Sequence, residues 1–271
     1  MINKLNYRDP IEIDQGIFWI GFTDRDFSLH CNPYLIIEGD EAIVLDGGSR
    51  NDFSTVMLKI LQTGLNPQSI TKLIYHHYDP DLCGSIPDFE ELIDNNSLTI
   101  LSHSQNNVFI KYYGSGLKRE CVEVMNFEWT FKTGRKLKFI RTPYSHSPGS
   151  FMTFDELTGT LFSSDIFGSY GKHWELYYDL IDDCSNCKIQ ERCPKDGKEC
   201  PLDGIVNFHK NIMTSKRALD YALDKIEYLD IKRIAPQHGS IINKEKDIKT
   251  IIKRLREIKD IGIDAFDEVI K

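Results

Sequence analysis

The chain has 271 residues, 41% hydrophobic and 27% charged, the balance of an ordinary globular protein able to bury a large core. A formal net charge of −8 argues against a nucleic-acid partner, which requires a surplus of Lys and Arg on one face. No apolar run approaches the roughly 18 residues of a membrane span. The opening MINKLNYRDPIEIDQG has no signal-peptide core, so a cytoplasmic protein with no membrane partner is expected.

In chain order, GIFWIGF, NPYLIIEG and EAIVLDGG are short β-rich runs broken by Gly, Asn and Asp, as antiparallel strands and turns are. From Asn51, a capping residue type, NDFSTVMLKILQTG places Phe53, Met57, Ile60 and Leu61 at helical spacing and stops at Gly64. TKLIYHH is a strand ending in polar residues. A helix, the strand SLTILSH and a helix from Ser104 to Tyr113 follow. KLKFIRTP and SFMTFDELTGTLFSSD then return to antiparallel style, with a hairpin turn at Thr158 and Gly159. After a cysteine-rich stretch come the helix TSKRALDYALDKIEYL, the strand KRIAPQHGS and an amphipathic helix from about Lys244 to Ile261. This order suits two packed sheets with helices outside. The chain reads as one domain over residues 1–271, with a Cys-rich insertion at about 183–204.

Potential metal ligands gather at strand ends. After TKLIY come His77, Asp79 and Asp81, which alternate and so face one side if the segment is extended. Asp79-Pro80-Asp81 is also good turn chemistry, so this segment alone leaves both readings open. Three further candidates close strand-like runs: His146 after FIRTPYS, Asp165 after TLFSS and His238 after KRIAPQ. One histidine so placed is usually structural; four such sites in one chain point to a ligand set. His76, of opposite parity to His77, is expected to point away, and His30, His103, His173 and His209 are read as surface or structural residues, His209 with a further role in orienting a neighbour of the site.

On these residues the sequence resembles the metallo-β-lactamase superfamily over nearly its whole length, and within it the diiron branch that includes flavodiiron proteins. The resemblance implies an αββα sandwich. It further implies that His77, Asp79 and His146 hold one iron, Asp81 and His238 the other, and that Asp165 bridges them. Hydrolases of the superfamily carry His-x-His-x-Asp-His; Asp79 and Leu82 stand where two of those histidines would be. Carboxylate in place of imidazole makes the site harder and more anionic, favouring iron over zinc, so a zinc hydrolase is the weaker reading. Two Fe(II) ions, three carboxylates and one hydroxide bridge sum to near neutrality, and oxidation leaves a field that stabilises a bound peroxo or oxo bridge.

The motif His-x-Asp-Pro-Asp-Leu followed by Cys83-Gly84-Ser85 is similar to that of the stand-alone oxygen-binding diiron proteins of bacterial chemotaxis and signalling. That similarity implies an oxygen sensor whose diferrous site forms a stable diferric-peroxo adduct. It reports dioxygen to a chemotaxis receptor or other signalling protein, and the fold family often forms a homodimer. The branch's enzymes reduce oxygen or nitric oxide with electrons from an FMN domain C-terminal to the sandwich. About 30 residues follow His238, room for one helix, so no FMN is expected here. The alternative is therefore an oxygen or nitric oxide reductase fed by a separate flavoprotein or rubredoxin; a noncatalytic module whose metal staples the fold is a further one. Tyr78, beside the ligands, has two readings, a hydrogen-bond donor to bound oxygen or a packing residue.

Of seven cysteines, Cys31, Cys83 and Cys121 are scattered, which makes a disulfide framework improbable. Cys184, Cys187, Cys193 and Cys200 have C-x2-C-x5-C-x6-C spacing. This is read either as a zinc or iron site, able to pass electrons, or as reduced, redox-labile thiols.

Overall fold

Alternating Val, Ile and Leu between Gly and Asp turns make the strands of the first half. The computed structural model describes residues 5–22, 29–171, 174–181, 184, 186–189, 192–193, 197 and 200–270, with 267–270 as backbone only; His173 and parts of the insertion lie outside these. The chain divides into two compact units, Met1–Thr23 with Cys31–Phe139 and Glu156–Thr158, and Asp24–His30 with Ile140–Asp155 and Gly159–Lys271.

In the first unit β1 (Ile11–Asp14), β2 (Ile17–Trp19), β3 (Tyr34–Glu38) and β4 (Glu41–Leu45) pair antiparallel. Gly39, at φ +61°, takes the left-handed position of the two-residue turn between β3 and β4. Then β5 (Ile70–Ile74), β6 (Thr99–Ser102) and β7 (Lys118–Cys121) extend the sheet in parallel, giving seven strands in chain order. The helices are α1 (Phe53–Gln62), α2 (Pro80–Cys83), α3 (Ile86–Leu92) and α4 (Ser104–Ile110). Val56, Met57 and Ile60 of α1, with Leu82, Ile86 and Phe89, bury against Leu35, Val44, Leu73 and Ile100 of the sheet. Each contributes about 2 kcal/mol. The helix α1 starts one residue later than Asn51 suggested. Its N-cap residue is Asp52, whose carboxylate caps no helix N–H and accepts instead from Ser49 Oγ at 2.5 Å. The unit ends in a hairpin of β8 (Glu128–Thr130) and β9 (Lys136–Arg141).

Lys59 of α1 is buried. Its ammonium donates to Tyr7 O at 2.8 Å and Gly21 O at 2.5 Å and lies 3.8 Å from the Trp19 ring centroid. Burial depresses its pKa from 10.5 to about 8, against a smaller opposing pull from Asp9. The charge is therefore a cost present in full below pH 8 that fades as pH rises toward 10.5. Urea unfolding of wild type and Lys59→Met at about pH 7.5 and about pH 9.5 should show the difference moving in the wild type's favour by about 1 kcal/mol, a value discounted for solvent screening. Parallel profiles would mean that the ammonium is fully compensated by its two carbonyls and the indole.

In the second unit β10 (Phe151–Asp155) and β11 (Thr160–Phe162) form the expected hairpin, turning at Gly159 with φ +69°. β12 (Arg233–Ala235) lies parallel to β11. The helices α5 (Pro201–Ile212), α6 (Lys216–Ile226) and α7 (Glu245–Glu257) supply Leu202, Ile205, Phe208, Leu219, Leu223, Ile248, Ile251 and Leu255 to a second core, with Met152, Leu161 and Ile234 from the strands. α5 begins at Pro201, directly after Cys200, within the last residues of the stretch read as the Cys-rich insertion. No helix among the described residues is long and apolar enough to cross a membrane.

Candidate metal centre

The first unit presents His77, Asp79 and Asp81 just beyond β5, though not by strand alternation. The strand ends at Ile74, Asp79 is the N-cap residue of α2, and Asp81 lies in that helix's first turn. Pro80 at the first helical position forces the change, because its fixed φ starts a helix and its missing N–H costs nothing there. His77 Nε2 stands 3.8 Å from Asp79 Oδ2. His76 behaves as the parity suggested: its ring Nδ1 meets Asp46 Oδ2 at 2.5 Å and its backbone N–H donates to Asp46 Oδ1 at 3.0 Å, a buried anchor for the loop. The Cys83 thiol donates to His77 O at 3.6 Å. Burial, then Asp46, Asp81 and Asp79, pushes its pKa up, so it remains a protonated donor. Leu82 is fully buried in the first unit's apolar core. The Tyr78 ring packs on Phe109, centroids 4.5 Å apart, and its carbonyl accepts from Tyr113 Oη at 2.7 Å, contacts that the packing reading accounts for.

The second unit presents His146, Asp165 and His238. Strand register explains two of them. Phe162 pairs with Ala235, Ser163 N–H donates to Ala235 O at 3.2 Å and Gln237 N–H to Ser164 O at 2.9 Å, so residues three beyond each strand arrive side by side. Asp165 Oδ1 is 3.7 Å from His238 Nε2, both side chains buried. His238 Nδ1–H donates to His30 O at 3.1 Å, which leaves Nε2 to face Asp165. His30 stacks on Trp174 at 5.0 Å, and Trp174 Nε1–H donates to Gly239 O at 2.9 Å, fixing the backbone beside His238. His209 is fully buried. It accepts from Phe167 N–H at Nε2 (3.1 Å) and donates from Nδ1 to Ile205 O (2.7 Å), pinning the loop that carries Asp165. Burial lowers its pKa to about 4, so it stays neutral as this pattern requires. His103 instead caps α4 and faces Glu123 at 3.2 Å.

These residues fit a cation. Within each unit an imidazole nitrogen and a carboxylate oxygen stand at 3.7 or 3.8 Å. That is too long for a hydrogen bond, and close to the separation of two ligands about 2.1 Å from one ion. Backbone strain collects in the same places. Among the eight described non-glycine residues with positive φ, Asp46, Tyr144, His146, Ser164 and Phe167 support or flank the candidate ligands, and His146 itself sits at +95°. Such conformations cost about 1 to 3 kcal/mol each and persist where a site needs them.

Sequence reasoning missed Cys31. Its sulfur lies 3.9 Å from Asp81 Oδ2, across 50 residues of chain that no spacing rule connects. The cysteines of the insertion are free thiols, Cys184 buried and the other three partly so. Burial, with Cys200, Cys193 and Cys187 adding to it, raises the Cys184 thiol. Arg254 Nη2 donates to the carbonyls of Cys184 at 3.0 Å and Cys187 at 2.5 Å. Among the described residues the four sulfurs are not drawn to the spacing of one tetrahedral ion.

Two mixed sheets with their helices define a protein of metallo-β-lactamase-like fold. The peroxy diiron species of chemotaxis sensor ODP superposes with a TM-score of 0.74 at 21% identity, covering 96% of this chain and 99% of that one. The flavodiiron protein from Giardia intestinalis superposes with a TM-score of 0.75 at 21% identity, covering 93% and 60%. In sequence, the anaerobic nitric oxide reductase flavorubredoxin of Vibrio vulnificus is 26% identical over 259 residues, 85% of this chain and 46% of that protein. The chain thus spans about half the length of the curated relatives it matches. Residues 29–239 match the family model described as ODP family beta lactamase, and the chain belongs to that family.

Proposed function

We propose that His77, Asp79, Asp81, His146, Asp165 and His238 together hold two iron ions, and that the protein binds dioxygen there as an oxygen sensor. The observation that carries this reading is the donor set, three carboxylates with three imidazoles, with Asp79 and the core residue Leu82 replacing two histidines of a zinc hydrolase site. Bound iron would supply a redox-active Lewis acid for dioxygen. The chain's own part is to hold ligands at fixed angles. Asp46 anchors the His77 loop through His76, His209 pins the Asp165 loop, and His30 sets the tautomer of His238. In this reading the signal passes to a chemotaxis receptor or another signalling protein in the cytoplasm, with a homodimer as the working unit. A zinc or iron ion at Cys184, Cys187, Cys193 and Cys200 would require that segment to close up around it.

A second reading is favoured by the relative named a nitric oxide reductase: an oxygen or nitric oxide reductase taking electrons from a separate flavoprotein or rubredoxin. Anaerobic iron loading, metal analysis and visible absorption on admitting air separate the readings. Two irons per chain and a new band that persists without reductant support the sensor. Two irons with rapid, repeated gas consumption in the presence of a donor mean a reductase. Zinc alone, or iron indifferent to air, overturns both.

A further inference from the structure

We infer that the Cys31 thiolate is a protein ligand of the second iron, beside Asp81 and His238, in the place that Leu82 leaves without a donor. The inference rests on the diiron reading above. It begins with a deficit: on the ligand assignment, the second iron has Asp81 and His238 plus the bridge from Asp165, while Leu82 is committed to the apolar core. A sulfur stands in the right neighbourhood. Cys31 Sγ is 3.9 Å from Asp81 Oδ2, long for a thiol hydrogen bond. A metal–sulfur bond of about 2.3 Å and a metal–oxygen bond of about 2.1 Å at one ion separate their donor atoms by roughly 3.1 Å at a right angle and 3.8 Å at 120°, so a small movement of the thiol would close the bond.

The backbone on both sides of Cys31 is tied down. The preceding carbonyl, His30 O, accepts from the ring Nδ1–H of His238. The following residue, Asn32, is buried and accepts from Trp19 Nε1–H at 2.9 Å through its side chain. Ile20 N–H donates to Pro33 O at 3.1 Å, and Gly21 packs so closely on Cys31 O that a Cβ there would lie 2.7 Å from it. A flexible surface cysteine has no such support, whereas a ligand needs it. Cys31 is half-buried, open enough to admit a metal ion. The thiolate would soften one side of an otherwise hard oxygen and nitrogen site, making the two metal positions chemically unequal.

Anaerobic titration with cobalt(II), and separately with iron(II), of wild type, Cys31→Ala and Cys31→Ser tests this. Thiolate ligation gives a charge-transfer band that carboxylate and imidazole do not, and the difference between wild type and Cys31→Ala isolates Cys31 because the insertion's four thiols are present in both. The expected result is two metals per wild-type chain and loss of part of that band in both variants. The second equivalent should bind about tenfold or more weakly in Cys31→Ala, with the first unchanged. Cys31→Ser, which offers oxygen at the same position, should keep more of the second-site affinity than Cys31→Ala. Identical spectra and affinities in all three proteins would overturn the inference and leave the diiron reading intact. A wild type that binds fewer than two metals would overturn both. Matching melting temperatures of the metal-free proteins confirm that each variant folds.

Discussion

Asp165→Ala is expected to drop metal content from two irons per chain to below one and to reverse the sign of its stability effect between metal-free and metal-loaded protein. Asp165 is 2% exposed, and its carboxylate sits 3.7 Å from an imidazole that the His30 carbonyl holds as the Nδ1–H tautomer. Burying a carboxylate costs desolvation, so without metal its removal should leave the melting temperature unchanged or raised. With metal the balance inverts. At a free ion concentration 100-fold above Kd, binding stabilises the native state by about 2.7 kcal/mol, and a variant that cannot bind forfeits this. Thermal melts with excess chelator and with excess iron(II), both anaerobic, check it. Equal destabilisation in the two conditions would assign Asp165 a structural role.

What the sequence discloses is periodicity and punctuation, and the elements carried by those were legible. The strands NPYLIIEG and EAIVLDGG, the helix closed by Gly64 and the hairpin at Gly159 all form as expected. Four elements escaped, β1, β7, β8 and α5, and for β7 and α5 the physical reason is plain. β7, Lys-Arg-Glu-Cys, ends the sheet's strand order and is exposed at Lys118 and Arg119, so it carries no apolar alternation and exists by pairing with β6. α5 hides behind the cysteine spacing, and Gly204 interrupts its helical propensity. That glycine is required because a Cβ would lie 2.2 Å from Tyr170 O. Its stripe of Leu202, Ile205 and Phe208 was nonetheless present to be read. The candidate ligands divide the same way. Asp165 and His238 share a site in the family resemblance, while the parallel register of β11 and β12 that brings them side by side shows only in the fold. Asp81 required knowing that Pro80 turns the chain into a helix, and Cys31 required the tertiary fold.

Gly239→Ala should be strongly damaging to the site. Gly239 follows His238 at φ +83°, where an L side chain costs about 1 to 2 kcal/mol. Its new Cβ would lie 2.2 Å from Ser169 Oγ and 3.0 Å from Ser169 N. The hydroxyl can rotate away but the backbone nitrogen cannot, so overpacking adds about 1 to 3 kcal/mol. The damage would also reach His238. Gly239 O accepts from Trp174, Trp174 stacks on His30, and His30 O holds the His238 ring, so a displaced Gly239 carbonyl loosens each contact in turn. A melting temperature lower by several degrees is expected, together with a loss of metal affinity larger than the loss of stability alone explains. Ser169→Ala in the same chain removes the nearer clash but not the φ strain, and should restore part of the stability. If Gly239→Ala melts normally and binds two metals as tightly as wild type, the loop after β12 is not what orients His238, and the carbonyl of His30 must suffice.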